Sequence, residues 1–209
     1  MSKTITRLFD DYTDASAAVR DLEALGIDHD DISIVANNTH GQHAVGDHEG
    51  VNDHGDVSRG TSTGALLGGA GGLLAGLGLL AIPGLGPIVA AGWLAATAAG
   101  AGIGAAGGAA TGSLVGALKN SGHSEEEANV YSEGVRRGGT LVSAKVDEAD
   151  VARAEAVLDR NRSVDIASRG AAYRQSGWTS FDADAPAYTS DEIDRDRAGY
   201  AATTGTTRY

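Results

Sequence analysis

The chain contains no cysteine, which excludes disulfides, thiol nucleophiles and thiolate-bound zinc together. Positive charge is scarce: 16 Lys and Arg stand against 28 Asp and Glu, for a net charge of −12. A field of that sign disfavours nucleic acid as a partner, and anionic lipid as a nonspecific one. Residues Met1 to Asp10 lack the apolar core of a secretory signal, so the N-terminus is expected in the cytoplasm. No phosphate loop and no Ser/His/Asp constellation can be assembled. Strings resembling Gly-x-Gly-x-x-Gly carry no information where glycine is this abundant, and no acidic ribose partner follows a suitable strand. The expectation is a protein that is not an enzyme and uses no cofactor.

What the chain has in excess is glycine, 31 residues, of which 18 lie between Gly60 and Gly116. Residues 60–118 hold no charged side chain, and ordinary charged sequence flanks them.

Residues 1–38 predict strand, helix, strand. Thr4–Phe9 is β-rich. Thr13 can cap a helix with Ala15, Ala18, Val19, Leu22 and Leu25 on one face, and Gly26 suits a left-handed C-terminal stop. Ile32, Ile34 and Ala36 alternate with Ser33 and Val35 as in a half-buried strand. Residues 39–59 read as a solvated His/Asp/Gly linker. Residues 119–170 resume the pattern. Ser124 and Glu127 form a capping box ahead of a helix carrying Ala128, Tyr131 and Val135, ended by Gly138-Gly139. Thr140–Val146 predicts a strand with one wet face, Asp147 a cap for a helix with Val151, Ala154, Val157 and Leu158, and Ser163–Ala167 a last strand. Closing βαβ with αβαβ gives an α+β, ferredoxin-like four-stranded sheet. Residues 171–209, rich in Ala, Ser, Thr, Asp and Arg, predict a disordered tail.

The uncharged run breaks at Pro83, Gly84, Gly86 and Pro87, which would stop any helix. It thus divides into two arms, 64–81 and 88–118, and predicts an α-helical hairpin. Gly60, Gly64, Gly68, Gly72 and Gly76 recur every fourth residue, as do Gly100, Gly104, Gly108, Gly112 and Gly116, with Gly92 in the same register. Positions four apart share a helix face, so each arm would present a side-chain-free groove. Each helical glycine costs about 1 kcal/mol; close helix packing is the compensation that a glycine zipper offers. A flexible Gly/Ala linker is the plainer alternative, against which stand the leucines of the first arm and the fixed register.

Two smaller features have bland and specific readings. His40, His43, His48 and His54 are interleaved with Asp47, Glu49, Asp53 and Asp56, which could hold a metal, although the spacing fits no known template. Trp178, Phe181, Tyr188 and Tyr200 in the tail suggest a docking motif for the protein's own domain or for a protein partner, or are incidental.

Several strings resemble bacterial general (heat-induced) stress proteins. They are Phe9-Asp10-Asp11 before a helix and Gly26, Asp31-Ile32-Ser33-Ile34-Val35, Pro83-Gly84-Leu85-Gly86-Pro87, and Glu125–Glu127 leading to Tyr131-Ser132-Glu133-Gly134-Val135-Arg136-Arg137-Gly138-Gly139. The string Gly177-Trp178-Thr179-Ser180-Phe181-Asp182 is similar to their tails. The resemblance implies a stress-response role and transfers no activity and no site residue. The expectation is a membrane-associated, self-associating stress protein, its hairpin in the bacterial inner membrane and its α/β domain cytoplasmic. The alternative is a soluble, cytoplasmic homo-oligomer with the zipper as its subunit interface.

Overall fold

The computed structural model describes residues 2–41, 78–103 and 114–204. Most of the His/Asp/Gly linker lies outside them, as do Gly60, Gly64, Gly68, Gly72, Gly76, Gly104, Gly108 and Gly112. The described chain is α+β. Its strands are β1 (Ser2–Phe9), β2 (Ile32–Asn37), β3 (Gly78–Ile82), β4 (Gly86–Gly92) and β5 (Thr140–Asp147). Its helices are α1 (Tyr12–Ala24), α2 (Trp93–Ile103), α3 (Leu114–Asn120), α4 (Glu125–Arg136), α5 (Val151–Arg160), α6 (Ile166–Gln175) and α7 (Ser190–Thr204).

All five strands pair antiparallel in one sheet, in the order β1-β5-β2-β4-β3. β5 lies between β1 and β2, so the sequence before the apolar run and the sequence after it share that sheet. The order is not that of a four-stranded ferredoxin-like sheet. Two strands join at the β2 side, and the segment expected as a last strand contributes only one bridge, Leu8 to Val164. From Ile166 that segment is helical, with the Asp165 carboxylate accepting from the Ser168 amide at its cap.

The sheet is covered on both faces. On one, Ile5, Phe9, Ile34, Val142 and Ala144 pack with Ala15, Val19 and Leu22 of α1 and Ala154 and Leu158 of α5. On the other, Leu8, Val35 and Leu141 pack with Leu94 of α2, Leu114 and Leu118 of α3, and Ala128, Tyr131 and Val135 of α4. Double coverage explains why β2 is buried at all six positions instead of alternately, and why Ser143 on the supposed wet face of β5 is fully buried. Apolar burial at roughly 25 cal/mol per Å² is the main source of stability in such a layered core.

Local signals mostly hold. Gly26 follows α1 at φ +95°, and the Ser124–Glu127 capping box forms with both reciprocal bonds. Two caps move. α1 begins after Asp11 instead of Thr13, and α5 after Asp150 instead of Asp147, neither with a side-chain cap bond.

The apolar run departs furthest from expectation. Residues 78–92 form a β-hairpin, not the meeting ends of two helices. Of the described residues of the second arm, 88–92 is strand, and 93–103 and 114–118 are helical. Ile82-Pro83-Gly84-Leu85 is a β-turn in which the Leu85 amide donates to the Ile82 carbonyl (3.0 Å) and Gly84 takes φ +75°. Proline then glycine at the two central positions is the type II pattern. Tertiary pairing decides the outcome: β2 would otherwise carry an unpaired edge, and β4 satisfies it from Ser33↔Gly92 to Asn37↔Ile88. Among the described residues no helix is long and apolar enough to cross a membrane.

The C-terminal segment is also a correction. Through Thr204 it is described chain, built into α6, a connecting strap and α7, with Tyr173 and Ile193 fully buried.

Candidate functional site: the β-hairpin and its C-terminal clasp

The hairpin brings the proposed turn residues Pro83, Gly84, Gly86 and Pro87 to one end of the sheet, where the strap crosses them. A Cβ on Gly84 would stand 2.8 Å from the Ala183 Cα and 2.9 Å from the Asp182 carbonyl oxygen; one on Gly86 would stand 2.8 Å from the Ala187 Cβ. Glycine is required there because the strap lies against bare backbone, not because two helices meet. Gly92, assigned in the sequence to a zipper face, instead ends β4 at φ +88°, its missing Cβ 2.2 Å from the Ile32 carbonyl oxygen. Gly100 lies within α2 and Gly116 within α3, so these two glycines are helical.

A buried charge cluster at the end of α4 holds the strap. The Glu133 carboxylate, 1% exposed, accepts from Arg137 Nε at 2.7 Å and from Arg136 Nη1 at 3.4 Å. Arg137 also donates to Asp196 of α7 (3.2 Å) and stacks 4.3 Å from the Tyr173 ring centroid. Arg136 donates to the Pro186 carbonyl at 2.9 Å and lies 4.8 Å over the Tyr188 ring. Arg197 donates to the carbonyls of Asp10 (2.9 Å) and Gly138 (2.6 Å), tying α7 to the ends of β1 and α4. The Phe181 amide donates to Asn129 Oδ1 (3.0 Å) while its ring packs on the second core. Breaking one partner out of such a buried set costs about 3–5 kcal/mol, whereas an exposed pair such as Arg153–Asp150 is worth about 0–1 kcal/mol. The buried set and Ile193 therefore hold the clasp. Of the tail aromatics, Trp178 meets Tyr173 edge to face at 5.6 Å. Trp178, Phe181 and Tyr188 thus all engage the protein's own domain.

A second polar group in the interior is also committed to structure. Thr6 Oγ1 shares hydrogen bonds with His123 Nε2 (2.7 Å) and Ser143 Oγ (2.9 Å), and the Tyr131 hydroxyl donates to the Thr6 carbonyl (2.9 Å). Burial lowers the His123 pKa and pushes the Tyr131 phenol up to about 12. Burial raises Tyr173 to about 12 as well. A polar cavity of about 280 Å³ opens beside Tyr12, Asn37, His40 and Arg197. Three of its lining side chains have partners of their own: Arg197 as above, Asn37 Oδ1 with the Thr39 amide at 2.9 Å, and His40 beside Asp194 at 3.2 Å. A second cavity, of about 400 Å³, lies between α4 and α6.

For metal, the linker histidines His43, His48 and His54 lie outside the described residues, and His40 faces Asp194. Among the described residues only Asp28, His29 and Asp30 come within ligating distance of one another. They are consecutive in sequence, and Asp28 is already occupied in capping a 3₁₀ turn through the Asp30 amide.

The sequence marks a turn at Pro83-Gly84, though between helices and not strands, and offers docking of Trp178, Phe181 and Tyr188 on the protein's own domain as one reading; it does not reveal Tyr173 and Ile193 as anchors or β3 as a sheet margin. The available signals were Tyr173, Tyr188 and Ile193, large side chains in a supposedly disordered tail. No family model matches the chain, and neither the curated proteins nor the solved structures yield a match.

Proposed function

We propose that this is a non-enzymatic stress-response protein that works by self-association through its uncharged segment, residues 60–118. The observation that carries this reading is where the described part of that segment lies. Its strands β3 and β4 extend the sheet and its helices α2 and α3 cover one face, leaving an uncharged edge at the margin of an otherwise acidic protein. The stress-response part of the reading comes from the resemblance of the quoted strings alone.

A bilayer is the competing environment for the same segment, with the inner membrane as its site. Carbonate extraction of membranes from cells expressing the full-length protein separates the two. The expected result is release to the supernatant as a discrete oligomer, measured by light scattering after size exclusion. Retention in the pellet would overturn assembly in favour of membrane integration. Gly104→Leu together with Gly108→Leu is expected to weaken the oligomer; unchanged assembly would remove the zipper from the account.

A further inference from the structure

The two edges of the sheet are unlike. β1 carries Lys3 and Arg7, and its end is occupied by Val164 through the Leu8 bridge. Charge and cover of that kind keep an edge from pairing with other chains. β3, Gly78-Leu79-Leu80-Ala81-Ile82, has no charge and no proline within it, and among the described residues it has a strand neighbour on one side only. Leu79 is 59% exposed, the exposed large hydrophobic residue among the described residues.

The direction of the free backbone groups follows from Pro87. Proline has no N–H, and the Pro87 carbonyl accepts from the Asn38 amide (2.9 Å) beyond the end of β2. Pro87 therefore turns its carbonyl away from β3, and its cross-strand partner Ala81 occupies a non-hydrogen-bonded position. By the alternation of an antiparallel ladder, Leu80 and Ile82 bond to β4 while Leu79 and Ala81 direct N–H and C=O to the open edge. Such an edge is self-complementary about a two-fold axis at Leu80. Leu79 would face Ala81 of the second strand and Ala81 would face its Leu79, each pair exchanging two main-chain bonds.

We propose that β3 pairs antiparallel with β3 of a second copy, joining the two sheets across a two-fold axis at Leu80. Charge selects this edge and this partner. Each copy carries −12, so charged faces repel, whereas here two uncharged strands meet within the uncharged segment. The inference rests on the self-association reading above and names its surface.

The test is sedimentation equilibrium on full-length wild type, Ala81→Pro and Leu79→Lys, together with oxidation of Leu80→Cys. Proline at 81 removes an outward donor and leaves the ladder to β4 intact, and lysine at 79 puts charge on an exposed position. Folding of each variant is checked by circular dichroism, and Leu79→Lys keeps the test open should Ala81→Pro misfold. Both variants are expected to raise the dissociation constant by at least about tenfold. Leu80→Cys is expected to form a disulfide-linked dimer. Opposed non-hydrogen-bonded residues sit about 4.5 Å apart at Cα, within the range of about 4.4–6.8 Å that a disulfide spans. With no native cysteine, the cross-link has no background. Wild type that associates while both variants associate equally tightly and Leu80→Cys stays uncrosslinked would overturn the β3 pairing and leave self-association standing. Wild type that is monomeric throughout would overturn both.

Discussion

Gly92 shows how much one missing methyl group decides. It closes β4 at φ +88° with the Ile32 carbonyl oxygen 2.2 Å from any Cβ, so alanine meets both a strained backbone and a backbone collision. Gly92→Ala is expected to cost more than about 2 kcal/mol, read as a lowered urea midpoint with unchanged slope. The phenols of Tyr131 and Tyr173 give a pH dependence of known sign. Burial holds both near 12, against 10.0 for the free group. Unfolded chains ionise near pH 10 while the folded protein keeps its protons, so stability is full below pH 10 and falls as pH rises towards 12. The expected slope is about 1.4 kcal/mol per pH unit for each phenol. Urea titrations between pH 9 and 12 should show it, and Tyr131→Phe with Tyr173→Phe should flatten it. A slope unchanged in the double variant would mean that these rings are not the titrating groups.

At the scale of elements, the clasp makes the C-terminal segment part of the domain. Arg137 joins Glu133, Asp196 and two tyrosine rings, so Arg137→Ala leaves a buried carboxylate short of its best partner. The expected loss is about 3–5 kcal/mol, with limited proteolysis cutting first between 176 and 189; a cut pattern identical to wild type would refute the clasp. This segment was only partly legible in sequence: Trp178, Phe181 and Tyr188 suggested docking on the protein's own domain, but Tyr173 and Ile193 are isolated among Ala, Ser and Asp and follow no helical period. By contrast α1 and α4 were legible, since Val19 and Leu22, like Tyr131 and Val135, recur at helical spacing and Gly26 and Ser124 mark their ends. The hairpin was half legible. Pro83-Gly84 announces a turn, but Gly-Pro-Ile-Val-Ala-Ala-Gly has too little contrast between faces to reveal a strand. The glycine register pointed to helix until β2 supplied a ladder for residues 88–92. Double coverage of β2 and β5 was hidden for a related reason: Ser33 and Ser143 look solvent-facing, yet Ser33 donates to the Ala91 carbonyl (2.8 Å) and Ser143 bonds Thr6.

For the whole molecule, charge and apolar surface are separated along the chain. An acidic α+β sandwich closes on itself through its C-terminal segment, while residues 78–92 of the uncharged run form the β3 margin of the sheet. On this account the margin of that sheet is where copies meet. The most direct test is sedimentation equilibrium of the detergent-free, full-length protein across a range of concentrations at physiological salt. Concentration-dependent association into a discrete dimer or a multiple of it is the predicted result. A single species of monomer mass at every concentration would contradict it.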